Sequence, residues 1–190
     1  MSEAALSGLI LAGGLSSRMG QDKAELRWQG QTLLHHTVTL AQQAGCDDIQ
    51  ISRNKAGGIQ DNFPRQGPLA GLEAALPYCH HPRVLLLCID MPLLLPGTLQ
   101  PLLHSTTSAH FAGQPFPALL APAPGISRAA LTRLLSAELS QPDGLRSVSA
   151  LWQQLGLREL PPPAEPLMLN SNTPSGWLQA QAALAARSVQ

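Results

Sequence analysis

The chain has 190 residues, and its 12 Lys plus Arg balance 12 Asp plus Glu, so it lacks the global positive field behind sequence-independent nucleic-acid binding. With 4% aromatic residues it has too few rings for a base-stacking surface, and Cys46, Cys79 and Cys88, odd in number and without a C-x-x-C pair, speak against a disulfide framework or a zinc site. Glu3 and no basic cluster precede the first apolar segment, and the longest apolar stretch, Val84 to Leu95, is short and interrupted by Asp90; neither a secretory leader nor a membrane span is expected, and the setting is a reducing cytoplasm.

Gly8 to Ala12 is a short apolar run suited to a buried strand, ended by Gly13 and Gly14. Thr32 to Ala44 carries Leu34, Val38 and Ala41 on one stripe, the pattern of a helix lying on a sheet, with Gly45 to stop it. Ile49 to Ser52 is predicted as a second strand, and Leu69 to Leu76 as a helix announced by Gly67-Pro68. Val84 to Ile89 reads as a buried strand closed by Pro92, and Pro96 to His104 as the next helix. In the Pro- and Ala-rich second half the expected elements are a strand near Pro117 to Ala121, helices near Ser127 to Leu139 and Arg146 to Leu155, and a final helix near Pro174 to Arg187. Pro161-Pro162-Pro163 must be an extended connection. This alternation predicts a single α/β domain over residues 1–190, with a mostly parallel sheet between helices on both faces.

The segment Leu9 to Lys23, LILAGGLSSRMGQDK, carries the most chemistry. Glycines after a strand let a ligand approach the backbone closely enough for N–H groups to surround an anion, and Arg18 and Lys23 add full positive charge. Two familiar phosphate loops are excluded by spacing. Gly20 is followed by Gln21 and Asp22 before Lys23, which breaks the P-loop pattern, and G-x-G-x-x-G is missing. Asp90 follows the apolar positions Leu85 to Ile89 and so falls at the carboxyl end of a buried strand, where open α/β sheets bind ligands; capping the next turn is the other role for an Asp there. Asp61 lies in a polar segment where a solvated acid is the default. Of the two adjacent histidine pairs, His35-His36 and His80-His81, the first falls in an expected helix, where neighbours do not face the same way, and makes a poor metal pair. Asn170 and Asn172, two apart in an extended segment, project to one side, beside the helix begun by Pro174.

The string LAGG-x-S-S-R-M-G-x-D-K resembles the signature of the molybdenum cofactor guanylyltransferases, a branch of the nucleotidyltransferases with a Rossmann-like three-layer α/β/α core. Gly67-Pro68-Leu69-Ala70-Gly71-Leu72, Cys88-Ile89-Asp90-Met91-Pro92 and Asn170-Ser171-Asn172-Thr173-Pro174 match the same family in the same order, so the likeness covers nearly the full chain.

The resemblance implies transfer of GMP from GTP to molybdenum-molybdopterin, with a nucleotide-binding half of about residues 1–108 and an acceptor-binding half of about 109–190. It places Leu11, Ala12, Gly13, Gly14, Lys23, Ser52, Asn54, Asp61, Gly67 and Asp90 at the nucleotide, with Ser52 where relatives carry an asparagine facing the guanine. It implies Arg18, Lys23 and Asp90 as catalytic residues, Asp90 as the Mg²⁺ ligand, and Asn170 and Asn172 at the pterin or its phosphate. Molybdoenzyme apoproteins or their chaperones are the implied receivers of the product. Relatives that use CTP read LAAG where this chain has Leu11-Ala12-Gly13-Gly14, which favours guanine over a cytidylyltransferase. A sugar-1-phosphate nucleotidyltransferase is a further rival, as is a non-catalytic molybdopterin or nucleotide carrier; retention of both Lys23 and Asp90 speaks against the carrier.

Overall fold

A strand covered by helices on both faces must be apolar on both, and β1 (Leu6–Leu11) is buried at all its positions. The computed structural model describes residues 5–13, 22–122, 127–164 and 166–187. A two-residue hairpin, β2 (Arg27–Trp28) with β3 (Gln31–Thr32), leads into α1 (Leu33–Gln43), whose first turn is capped by Thr32 Oγ1 accepting from the His35 amide at 3.2 Å. Then come β4 (Asp48–Ser52), α2 (Pro68–Ala75), β5 (Arg83–Cys88) and α3 (Pro96–Leu103). The second half holds β6 (Ala109–Phe111), β7 (Ala118–Leu120), α4 (Arg128–Leu139), α5 (Val148–Leu155), β8 (Arg158–Leu160) and α6 (Pro174–Arg187).

The main sheet has six strands in the order β4-β1-β5-β7-β6-β8. β1 pairs in parallel with both β4 and β5. Alternation then sorts side chains between two cores: Leu85 and Leu87 face the layer holding Leu33, Leu40, Leu99 and Ala180, whereas Val84 and Leu86 face Leu69, Leu72, Leu135 and Trp152. The three-layer expectation holds, and the sheet is mostly parallel. β7 is the exception, running antiparallel to both β5 and β6.

Two strand pairs escape sequence patterning. β6 and β8 have three residues each, and the β2–β3 hairpin has two on each side, too few positions for a period of two to register. The helix expected from Arg146 begins at Val148 instead. Ser147 caps it, accepting from the Ala150 amide at 3.4 Å, while the Arg146 guanidinium turns back to the carbonyls of Glu138 and Gln141. Among the described residues, no helix is long and apolar enough to cross a membrane.

Candidate active site

The chain leaves β1 toward β4 on one side and then crosses to β5 on the other, so the carboxyl ends of these strands flank a crevice at a reversal of strand order. That crevice is a cavity of about 890 Å³, within the range of small-molecule sites. Leu11, Ala12 and Gly13 at the end of β1 line it, together with Ser52 and Asn54 at the end of β4. Asp61 and Gly67 from the next connection, and Lys23, Asp90 and Asn172, complete the wall. Thus nearly every sequence-predicted nucleotide residue falls on one cavity. Gly14 and Arg18 lie outside the described residues, and Asn170 reaches the site through Asp90.

Asp90 stands two residues beyond β5. Its carboxylate Oδ2 accepts from Asn170 Nδ2 and Asn172 Nδ2, each at 2.8 Å, whereas Oδ1 is buried and has no hydrogen-bond partner. Its carbonyl is also held, accepting from the Ser171 amide at 2.7 Å and from Ser171 Oγ at 3.0 Å. Two residues on, the Pro92 carbonyl can only accept, so the His36 Nε2 at 3.0 Å must carry the proton. Burial pushes this imidazole below its usual range, in keeping with a neutral ring that ties the Asp90 loop to α1.

Lys23 is only 9% exposed. A short 3₁₀ turn, capped by Asp22 accepting from the Ala24 amide at 3.0 Å, aims it into the cavity, where its Nζ donates to Asn172 Oδ1. Burial pushes the ammonium pKa down, and the Asp90 carboxylate works against that. A partly desolvated cation beside an under-coordinated carboxylate is the arrangement expected where polyanion and metal meet.

The opposite wall carries a different pattern. Asn54 Nδ2 donates to Asp61 Oδ2 at 2.7 Å, and the Asp61 amide donates back to Asn54 Oδ1 at 2.8 Å, so these two residues hold one another. Asp61 is therefore no solvated loop acid. Its Oδ1 is buried without a partner, and burial raises its pKa. Ser52 is 1% exposed with an unpartnered Oγ. Gly71 makes this packing possible, since a Cβ there would come within 2.4 Å of Ser52 Oγ. Gly67, at a φ of 71° that favours glycine, turns the chain into α2 with Pro68 in its first turn.

Sequence reasoning missed an ionic cluster at the rim. Arg53 Nη2 donates to Asp22 Oδ2 at 2.8 Å and to Glu25 Oε1 at 2.6 Å, and Lys55 Nζ donates to Asp22 Oδ2 at 2.7 Å. Burial tends to raise the Asp22 pKa, but the bonds from Lys55, Arg53 and the Ala24 amide hold it at about 2. The cluster fastens the turn bearing Lys23 to the end of β4. Its one sequence signal is an alternating pair of cations after a strand, facing an acid next to the loop lysine. Cys88 also lines the cavity, and burial pushes its thiol well above the ordinary range.

A parallel-centred α/β sheet with a strand-end glycine, a buried lysine and a strand-end aspartate around one cleft is the arrangement of a nucleotidyltransferase-type enzyme. The model of the MobA-like NTP transferase domain matches residues 8–156, and the chain belongs to that family. It is 37% identical over 180 residues to the molybdenum cofactor guanylyltransferase of Xanthomonas euvesicatoria, covering 90% of this chain and 92% of that one. A probable molybdenum cofactor guanylyltransferase of Synechococcus elongatus is 34% identical over 190 residues, covering 89% and 94%. Among solved structures, a nucleotidyl transferase from Methanothermobacter thermautotroptrophicus superposes with a TM-score of 0.69 at 19% identity, over 96% of this chain and 99% of that one. The Mycobacterium tuberculosis protein Rv0371c, solved in complex with manganese, gives 0.60 at 19% identity, over 93% and 97%.

Proposed function

We propose that this enzyme transfers the guanylyl group of GTP to the terminal phosphate of molybdenum-molybdopterin, releasing pyrophosphate and leaving the guanine dinucleotide form of the cofactor. The observation that carries the reading is the convergence on one cavity of the β1 end, the buried Lys23 and the half-coordinated Asp90, in a chain whose relatives bear that activity in their names. The acceptor phosphate is already an anion, so no strong general base is needed. Rate enhancement then rests on alignment and on neutralising charge at the α-phosphate and the departing pyrophosphate. The backbone from Leu11 to Gly14, with Arg18 and Lys23, takes the phosphates in this scheme.

The metal is Mg²⁺, and the residues suit it. A buried carboxylate oxygen without a partner is a hard donor awaiting a cation, and no group of three or more His, Cys, Asp or Glu among the described residues offers a softer or fuller cage. Asp90 Oδ1 would hold the ion, with phosphate oxygens and waters filling the other positions. When bound, Mg²⁺ supplies Lewis-acid neutralisation of the phosphate charge.

Base choice falls to the Ser52–Asn54–Asp61 wall. Guanine presents donors along its Watson–Crick edge, and Asp61, which lines the same cavity, keeps an acceptor, Oδ1, without a partner. Ser52 Oγ supplies a hydroxyl that both donates and accepts. The product is then handed to molybdoenzyme apoproteins or their chaperones. A binding screen with GTP, CTP, ATP and UTP in Mg²⁺ tests the assignment: GTP is expected to bind in clear preference, and preference for CTP overturns the guanine reading while leaving the fold untouched.

A further inference from the structure

The segment from Asn170 to Thr173 contributes Asn172 to the cavity wall, and its polar atoms are already committed in a particular way. Thr173 caps α6, its Oγ1 accepting from the Gly176 amide at 3.1 Å, so neither asparagine is needed for that task. Asn170 and Asn172 instead converge on a single carboxylate oxygen, Asp90 Oδ2. Asn170 Oδ1 accepts from the Asn172 amide at 2.8 Å, which locks the two side chains to one another. Asn172 then reaches further, its Oδ1 accepting from Lys23 Nζ.

A side-chain amide is suited to this place because it offers a donor and an acceptor without charge. The donor end meets the anion and the acceptor end meets the cation. Lysine or arginine there would repel Lys23, and a carboxylate would repel Asp90. Two donors on Oδ2 also hold the carboxylate against rotation, while Oδ1 stays buried without a hydrogen-bond partner in a residue that lines the cavity.

We infer that Asn172, supported by Asn170, is a positioning residue for the nucleotide half of the reaction: it sets Asp90 for a divalent cation and Lys23 for phosphate before any acceptor arrives. This rests on the guanylyl-transfer reading and deepens it, since contact with the pterin alone would leave nucleotide binding untouched.

The test is GTP binding to the full chain with no acceptor present, in Mg²⁺ and in EDTA, for the parent, Asn172→Ala and Asn170→Ala. Thermal unfolding of each variant is measured alongside. Losing a hydrogen bond to a charged partner corresponds to about tenfold in affinity, so Asn172→Ala should weaken GTP binding about tenfold in Mg²⁺ and only about threefold in EDTA, where the contact with Lys23 alone is at stake. Asn170→Ala, which spares the contact with Lys23, should lose about threefold in Mg²⁺. Should Asn172→Ala melt early, Asn170→Ala decides the matter by itself. Variants that bind GTP like a parent responsive to Mg²⁺ overturn this inference alone, as do equal losses with and without the metal. A parent that binds no GTP in Mg²⁺ overturns the guanylyl reading, and this inference with it.

Discussion

The two ends of the central sheet are built from the same kinds of residue and finished differently. At the amino end, Asp48 accepts from Ser7 Oγ at 2.5 Å, Gln50 Nε2 at 2.7 Å and the His80 amide at 2.7 Å, while the His81 amide donates to Ser7 Oγ at 3.0 Å. His81 Nε2 lies 2.7 Å from Asp47. At the carboxyl end, Ser52 Oγ, Arg53 Nε, Asp61 Oδ1 and Asp90 Oδ1 are all buried without partners, and all four residues line the cavity. A buried unmet polar atom costs about 1–3 kcal/mol. Four around one cleft make sense where a polar ligand completes them, and the contrast separates the end that stabilises from the end that reacts.

The sharpest way to break this contrast is Asp90→Asn. Turnover should fall about 10³-fold, because in the proposed reaction the lost charge is the one that would hold the metal, while thermal unfolding moves little because the shape is kept. Pyrophosphate release and melting, recorded on the same preparation, check both halves; activity within tenfold of the parent would remove Asp90 from its role. Lys23→Ala comes next, with an expected loss of about 10² in turnover and a much smaller change in guanosine affinity, since the ammonium meets charge that grows at the phosphates. Unchanged turnover at saturating GTP would contradict it.

Asp48→Asn probes the other end and should give the reverse result. Turnover stays at the parent level, and stability drops by about 1–3 kcal/mol in chemical denaturation, since Ser7 and the His80 amide lose a charged acceptor. Burial tends to raise the Asp48 pKa, but its hydrogen bonds outweigh that and hold it below the ordinary value. Its contribution is therefore complete above about pH 4 and lost as pH falls through the lower folded value. The variant's acid limb should accordingly be flatter than the parent's. The smallest effect belongs to Ser52→Ala. Removing an unpartnered hydroxyl should leave stability within about 0.5 kcal/mol, yet cost roughly threefold in GTP affinity, and titration calorimetry beside melting separates the two.

Much of this molecule is legible in its sequence because the proposed nucleotide side is assembled from strand ends. β1, β4 and β5 announce themselves by apolar runs, and whatever follows such a run in an open sheet lands at the cleft. Gly13 and Asp90 are placed in that way, while Ser52 and Asn54 rest on the family resemblance. The Asp22–Glu25–Arg53–Lys55 cluster is not so placed, because its bonds join segments 28 to 33 positions apart and no local period encodes them. The alternation of Asn170 and Asn172 correctly put both amides on one side, but which group they meet is decided by how α6 returns over the sheet. The antiparallel β7 escaped the alternation rule for a related reason: its direction is a property of its pairing with β5, not of the residues Ala118 to Leu120.

The returning segment also sets when the enzyme becomes competent. Asn170 and Asn172 stand 80 and 82 positions from Asp90 in the chain, and Asn172 stands 149 from Lys23. A growing polypeptide can therefore complete β1, β4 and β5, and the cavity floor with them, well before the residues that dress Asp90 have been made. The contact of Asn172 with Lys23 spans about twice the separation of Leu6 from its β5 partner Arg83, so its loop costs more entropy to close. During refolding from denaturant, recovery of the sheet's circular dichroism should accordingly run ahead of Mg²⁺-dependent GTP binding, so that the last step of maturation is the step that arms the site.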